Sequence, residues 1–188
     1  VNVVDTFWDL GVDDSTAVWF RQKIGNKIIF IDYLEDSGKD LTHYVRMLEA
    51  KGYQYGTHYL PHDAQQRNIQ TGSSTADMFE HICGNYNIGH RIQVLDRLPI
   101  QDGINAVRAR FSRYIFDSSK CLDGLKKLEL YHRRYDKRRQ VFLKEPIHDG
   151  NSHAADAIRM EAISEDIRQD GFFKQNELKV SWGGIEDW

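Results

Sequence analysis

The chain has 188 residues, of which 40% are hydrophobic and 28% are charged, and its formal net charge is -3. This balance is typical of one globular domain and excludes a collagen-like repeat, a coiled coil and a wholly disordered chain. The acidic balance argues against a general nucleic-acid coat, and no apolar run approaches the ~20 residues that a membrane span needs.

The first third of the sequence predicts three consecutive antiparallel strands followed by a helix. The strands cover 1–9, 16–22 and 27–33. Apolar residues then recur at helical spacing over 41–48, and Gly52 provides a C-terminal stop.

The rest of the chain predicts short strands that alternate with helices. Ser74 and Asp77 have the spacing of a capping box, and Ser152 is a candidate cap for the last helix. Ile115 falls in the predicted helix over 104–115, and Tyr135 falls in the predicted helix over 121–139. The predicted elements are strands over 56–60 and 91–95 and helices over 74–81, 104–115, 121–139 and 153–168. This order gives an α/β protein with a mixed central sheet, its first three strands antiparallel and helices on its faces, and it resembles the ribonuclease H-like fold.

Three acidic residues follow predicted elements at points that such a sheet brings together. Asp9 ends the first strand, Asp63 follows a short strand, and Asp156 falls in the first turn of the last helix. Clustered carboxylates raise each other's pKa and need a cation to stay ionised, and Mg²⁺ and Mn²⁺ prefer carboxylate oxygens. Two such ions ~4 Å apart can activate a water and stabilise the leaving oxygen of a phosphodiester. Each acid alone is equally compatible with a turn or helix-start residue, so the prediction depends on all three together.

His153 lies three residues before Asp156, on the same face of the predicted helix. It is a candidate metal ligand, proton shuttle or hydrogen-bond donor to a carboxylate. A partly buried histidine at the start of a helix is the alternative interpretation. His62 and His148 are weaker candidates, and Asp32 is expected on a solvent-exposed face.

Basic residues are concentrated between positions 126 and 139. Such a stripe can bind DNA phosphates, although a solvated helix face with acidic partners gives the same pattern. Outside it, Arg159 lies three residues after Asp156 and is a candidate partner for a phosphate or a buried acid. The predicted DNA-binding residues are Lys126, Lys127, Arg133, Arg134, Lys137, Arg138 and Arg139.

The stretch 131–159 resembles the end of the nuclease domain of tailed-phage terminase large subunits. It begins Tyr-His-Arg-Arg-Tyr-Asp-Lys-Arg-Arg-Gln-Val-Phe and ends Pro-Ile-His-Asp-Gly-Asn-Ser-His-Ala-Ala-Asp-Ala-Ile-Arg, where the family shows His-Asp and Ser-His-x-x-Asp-Ala-x-Arg. The early Asp-Leu-Gly at 9–11 and Pro-His-Asp at 61–63 also match, so the resemblance covers roughly 1–165.

The resemblance implies a ribonuclease H-like nuclease domain over 1–170, followed by a C-terminal tail over 171–188. It implies an endonuclease that cuts double-stranded concatemeric viral DNA with Mg²⁺ or Mn²⁺, two ions being expected when DNA is bound. The three carboxylates would hold the metal, with His153 beside the third. The implied partners are an N-terminal ATPase domain of the same full-length chain, the small terminase subunit and the portal protein, and the implied location is the host cell cytoplasm during virus assembly, with no membrane.

Other classes of protein account for part of the pattern. A resolvase or transposase core would share the fold, and a non-catalytic DNA or portal docking module would leave the carboxylates without a role. An actin-like or sugar-kinase half also begins with an Asp-x-Gly hairpin but needs about twice this length. No GxxxxGK[ST] motif is present, which excludes a P-loop ATPase within this chain.

Other features of the sequence bear on its origin. Val at position 1 leads us to expect a domain excised from a longer protein, and the N-terminal residues do not predict a signal peptide. Cys83 and Cys121 are too few for a disulfide scaffold, so we expect a reducing compartment.

Overall fold

The computed structural model describes residues 2–11, 14–89 and 91–177. Its strands are β1 (Val4–Asp9), β2 (Ser15–Ile24), β3 (Lys27–Ser37), β4 (Tyr55–Leu60), β5 (Arg91–Val94), β6 (Tyr114–Phe116), β7 (Arg133–Asp136) and β8 (Val141–Pro146). Its helices are α1 (Leu41–Lys51), α2 (Thr75–Asn85), α3 (Ile100–Arg110), α4 (Leu122–Leu130) and α5 (Ser152–Glu177), with 3-10 turns at His62–Gln65 and Phe111–Arg113.

A six-stranded mixed sheet forms the centre of the molecule, in the order β5-β4-β1-β2-β3-β6. β1, β2 and β3 are antiparallel to their neighbours in sequence, whereas β4 runs parallel to both β1 and β5, and β6 runs parallel to β3. β7 and β8 form a separate antiparallel hairpin. The predicted α/β class, with a mixed sheet whose first three strands are antiparallel, is confirmed.

Helices cover both faces of this sheet. Successive residues of the central strands point to opposite faces, so the same strands contribute to two cores. Trp8 and Leu60 belong to a core shared with α1 and α2. Phe7 and Tyr59, one position earlier on the same strands, stack with ring centroids 4.8 Å apart in a second core that includes residues of α5. The two free cysteines are buried one in each core.

α5 is fixed to the sheet by buried polar contacts. The guanidinium of Arg21 on β2 donates to Glu161 at 2.9 Å and to Asp5 at 2.7 Å, and the side chains of Arg21 and Glu161 are almost wholly buried. Near the start of α5, the indole of Trp19 donates to the carbonyl oxygen of Ala154 at 2.9 Å. Breaking a buried ion pair leaves an uncompensated charge, so these contacts strongly favour one register of α5.

Two predicted helices are wrong in their second halves. The helix predicted to reach Ile115 ends at Arg110, and Ile115 lies in β6, which extends the sheet beside β3. The helix predicted over 121–139 ends at Leu130, and Tyr135 lies in β7. Both segments form strand contacts with residues distant in sequence, which helical spacing cannot reveal. β6 pairs with β3, and Tyr135 packs on Phe142 across the hairpin.

Other expectations are corrected in detail. Asp32 is buried rather than solvent-facing, because Lys51 Nζ lies 2.6 Å from its carboxylate and Tyr53 donates to it. Ser152 is the first residue of α5 rather than its cap, and its hydroxyl donates to the carbonyl oxygen of Asp149. The capping box of α2 and the left-handed Gly52 at the end of α1 are both present as predicted.

The C-terminal end departs from the predicted helix over 153–168. α5 continues to Glu177, past the predicted helix end at 168. The remainder of the predicted tail, 178–188, lies outside the described residues. Among the helices that the structure describes, none combines the length and the apolar character that crossing a membrane requires.

Candidate active site

The three predicted carboxylates lie on separate elements and line one cleft. Asp9 is the last residue of β1, and Asp63 lies in the 3-10 turn that follows β4. β1 and β4 are parallel neighbours, so their carboxyl ends meet at one edge of the sheet. Asp156 is in the second turn of α5, not the first, because the helix begins at Ser152. A cleft of about 180 Å³ is lined by Asp9, Asp63 and Asp156 together.

The turn after Asp9 has a steric requirement for glycine. A Cβ atom on Gly11 would lie 2.5 Å from the carbonyl oxygen of Ser15, so no side chain fits there without moving the backbone. The Gly11 amide donates to the Thr16 hydroxyl at 3.2 Å, which ties the turn to β2. Glycine is therefore required in the Asp-Leu-Gly sequence because the backbone at Ser15 passes close to Gly11.

The environment of the cleft favours the protonated forms of two of its carboxylates. Burial, and then the charge of Asp156, raises the pKa of Asp9 from 3.8 to about 6, against the opposing effects of His153 and Arg159. Burial also raises the pKa of Asp156, although Arg159, His148 and His153 partly offset it. A raised pKa on neighbouring carboxylates is a common feature of functional sites, and an added cation would relieve their repulsion.

His153 lies between two carboxylates. Its Nδ1 is 3.0 Å from Asp9 Oδ2, and its Nε2 is 3.1 Å from Asp14 Oδ2, although the second contact lacks the geometry of a hydrogen bond. Burial lowers the pKa of His153, but the carboxylates of Asp9, Asp14 and Glu35 outweigh it, so the net direction is upward. A protonated His153 donates to Asp9 and fixes the orientation of that carboxylate.

Arg159 holds the third carboxylate. Its Nη2 donates to Asp156 Oδ1 at 2.5 Å, one turn away on α5, and the residue is 9% exposed. Of the two interpretations left open by the sequence, a phosphate or a buried acid, the structure therefore shows the acid. Arg159 also lines the cleft that the three carboxylates share.

The donor set has the chemistry of a site for a hard divalent cation, because carboxylate oxygens are the ligands that Mg²⁺ and Mn²⁺ prefer. In 2–11, 14–89 and 91–177, however, no three His, Cys, Asp or Glu side chains are close enough together to hold one ion. Positive charge beside the carboxylates comes from Arg159 at Asp156 and from His153 at Asp9. The carboxylates are therefore ligands of the kind that a divalent cation takes, and in the described arrangement Arg159 occupies Asp156.

The weaker histidine candidates take different positions. His62 lines the cleft beside Asp63. His148 Nδ1 is 3.0 Å from the Ser152 hydroxyl, and its ring centroid is 6.0 Å from that of His153. Neither contacts a carboxylate of the cleft as His153 does.

The predicted basic stripe does not lie on one helix. Lys126 and Lys127 are on α4, and Lys127 Nζ is bound within the protein by Glu35 at 2.7 Å and by the carbonyl oxygen of Gly150 at 3.0 Å. The other five residues belong to the β7–β8 hairpin and are all exposed; they are Arg133, Arg134, Lys137, Arg138 and Arg139. Their side chains therefore form a basic hairpin surface.

Some residues of the site were not predicted. Asp14 faces His153 from the β1–β2 connection, and its only sequence signal is that it follows Gly11 in the predicted turn. The segment 96–100 and Gly103 line the other side of the cleft, although no motif points to them.

Solved structures match this fold, whereas no protein-family model and no curated protein matches the chain. The nuclease domain of the large terminase from bacteriophage SPP1 with bound Mn is 16% identical, with a TM-score of 0.58 over 88% of this chain and 87% of that one. The P22 large terminase nuclease domain is 15% identical, with a TM-score of 0.60 over 87% and 81%. The large terminase from a thermophilic bacteriophage, in complex with ATP-gamma-S, is 15% identical, with a TM-score of 0.61 over 86% of this chain and 39% of its own length.

These likenesses establish the fold. The chain has the ribonuclease H-like fold of large terminase nuclease domains, as the resemblance in its sequence predicted. It spans about two fifths of the length of the thermophilic-phage large terminase.

Proposed function

We propose that the chain is the metal-dependent endonuclease domain of a viral DNA-packaging terminase. Its reaction would be hydrolysis of phosphodiester bonds in double-stranded concatemeric DNA, with 3′-hydroxyl and 5′-phosphate ends as products. The observation that carries the proposal is the meeting of Asp9, Asp63 and Asp156, from three separate elements, in one cleft of a terminase nuclease fold. The Mn bound to the SPP1 domain supports a divalent cation here.

Asp9, Asp63 and Asp156 would hold the cation, expected as two Mg²⁺ or Mn²⁺ ions when DNA is bound. Such ions supply a water of lowered pKa and stabilise the leaving oxygen. All three carboxylates line the cleft, and the charge of Asp156 raises the pKa of Asp9. His153 would keep the Asp9 carboxylate oriented by donating its Nδ1 proton, which is the role that outer residues take toward metal-binding carboxylates.

DNA would be held by the basic hairpin surface rather than by a helix. Its five exposed Lys and Arg side chains can bind phosphates without breaking a short ion pair of the kind that holds Lys127, since Arg139 has only a long contact of 3.9 Å with Asp136. Contacts to phosphate alone carry no base information, so we expect little sequence preference in cleavage.

The full-length protein would join this domain to an N-terminal ATPase domain, since the large terminase of the thermophilic bacteriophage is much longer than the matched region. The small terminase subunit and the portal protein are the proposed partners, and the host cell cytoplasm during virus assembly is the proposed location.

Cleavage of supercoiled plasmid by the domain, with Mn²⁺, Mg²⁺ or EDTA, tests the proposal. We expect nicking that requires the metal and falls more than about 100-fold in Asp63→Asn, because even the outer partners of metal ligands contribute about 10- to 100-fold. Asp123→Asn is the matched control, since that side chain is 84% exposed on α4 and lies away from the cleft.

The outcomes separate the alternatives. Nicking in EDTA, or equal nicking by Asp63→Asn and the parent, would contradict the metal site. Preference for a four-way junction or an RNA–DNA hybrid over linear duplex would favour a resolvase or another nuclease of this fold. A folded domain that binds neither Mn²⁺ nor DNA would favour a docking module for the portal.

A further inference from the structure

Arg159 has more hydrogen-bonding capacity than its environment uses. One nitrogen, Nη2, binds Asp156, whereas Nε and Nη1 are buried and have no partner among the described residues. A guanidinium offers five N–H donors, and buried donors without acceptors are costly. The residue is thus nine-tenths buried at the cleft and still lacks part of its hydrogen bonding.

The first turn of α3 lies on the same cleft. Pro99, Ile100 and Gly103 line it together with Arg159, and no side chain caps the helix start at Pro99. Free backbone N–H groups at a helix start favour an anion. Gly103 also makes room for the arginine, because a Cβ atom there would lie 3.0 Å from Arg159 Cδ.

The charges of the cleft point to an exchange of partners. The cleft is lined by four aspartates and two arginines: Asp9, Asp63, Asp96, Asp156, Arg97 and Arg159. A cation held by Asp156 would repel the guanidinium of Arg159, which would then need another anion. A backbone phosphate of bound DNA is the anion that the proposed function brings into the cleft.

We propose that Arg159 is a positioning residue that binds Asp156 in the free protein and a DNA phosphate, beside the first turn of α3, in the metal-loaded complex. This inference rests on the proposed nuclease function. It adds a DNA contact inside the cleft, separate from the basic hairpin surface, and it links metal binding to DNA binding through one side chain.

The salt dependence of DNA binding tests this exchange. A short fluorescent duplex is titrated with the domain at several salt concentrations, in Ca²⁺, which takes similar oxygen ligands, and in EDTA. Losing one phosphate contact lowers the log–log slope by about 1. We expect Arg159→Gln to show that loss in Ca²⁺ together with roughly tenfold weaker binding, and to match the parent in EDTA.

Two further variants control for charge and packing. Arg159→Lys keeps a cation and should retain most of the parental slope in Ca²⁺. Arg108→Gln removes an exposed charge from α3 and should leave both slopes unchanged. If Arg159→Gln does not fold, Gly103→Ala displaces the arginine stem instead and should weaken binding in Ca²⁺ only.

Metal affinity gives a readout that does not depend on DNA. Arg159→Gln frees Asp156 from its competing cation, so we expect Mn²⁺ to bind about tenfold more tightly by calorimetry, equivalent to the one-unit pKa effect of a neighbouring arginine. A purely structural arginine would give weaker Mn²⁺ binding, because Asp156 would lose its orientation.

Besides weaker Mn²⁺ binding, two results of the DNA titration overturn the inference. The first is that Arg159→Gln and the parent have equal salt slopes of DNA binding in Ca²⁺, although the parent cleaves DNA. The second is that their slopes differ in EDTA as well as in Ca²⁺. A parent without metal-dependent cleavage would instead contradict the nuclease itself, so the two failures can be told apart.

Discussion

Asp9 should reduce the stability of the folded protein at neutral pH. Its carboxylate is 24% exposed and lies beside Asp156, and its pKa is raised from 3.8 to about 6. The folded state therefore takes up the proton first as the pH falls. Ionised Asp9 destabilises the fold above about pH 6, and this effect disappears below about 3.8, where both states are protonated.

Asp9→Asn removes this effect while keeping the shape of the side chain. The gap between 3.8 and about 6 corresponds to about 3 kcal/mol, at 1.36 kcal/mol for each pKa unit. A chain of this size shifts its Tm by roughly 2–4 °C for each kcal/mol, so we expect a Tm increase of about 6 to 12 °C at pH 8.

Thermal unfolding in EDTA at pH 8, 6 and 4 measures the difference, with Asp123→Asn as the control for loss of an exposed carboxylate. The expected gain is largest at pH 8 and vanishes near pH 4. Equal or lower stability of Asp9→Asn at pH 8, or a gain independent of pH, would refute the reasoning. The same variant should be inactive, so it would gain stability and lose function.

The remaining predictions concern the DNA surface and the core. Arg138→Ala should lower the salt slope of DNA binding, measured by fluorescence anisotropy, by about 1. Lys127→Ala should leave that slope unchanged and reduce the free energy of unfolding, measured by urea titration, because Lys127 is bound by Glu35 and by the carbonyl oxygen of Gly150. Burial lowers the pKa of His58 to about 4, so NMR should find its ring neutral at pH 5, and as the pH falls from 6.5 toward 4 the histidine should reduce stability. A His58 ring that titrates near 6.5 would contradict the burial of this side chain, because burial lowers its pKa against the opposing effect of the Gly89 carbonyl.

Elements with a local signal could be predicted from the sequence. α1 ends at Gly52, and α2 begins at the capping box of Ser74 and Asp77, as the sequence predicts. β6 could not be predicted, because three residues continue the apolar spacing of a helix and become a strand only beside β3. The hairpin was missed for a similar reason, since Tyr135 and Phe142 meet only after the chain reverses.

The candidate site divides in the same way. Asp9 and Asp63 follow strands, so a sheet of known order brings them together, and Asp156 follows from the family motif. The contacts that set their protonation depend on tertiary packing. The sequence leaves open whether Arg159 binds an acid or a phosphate, and it does not indicate that Asp32 is buried against Lys51.

The two anchors on α5 restrict how the chain can change in length. Asp156 faces the cleft, whereas Glu161, five positions later, is bound by Arg21 inside the protein. Inserting one residue between them would rotate one side chain relative to the other by about 100°, so no placement of the helix could keep both. Insertions and deletions among distant relatives should therefore be absent between Asp156 and Glu161.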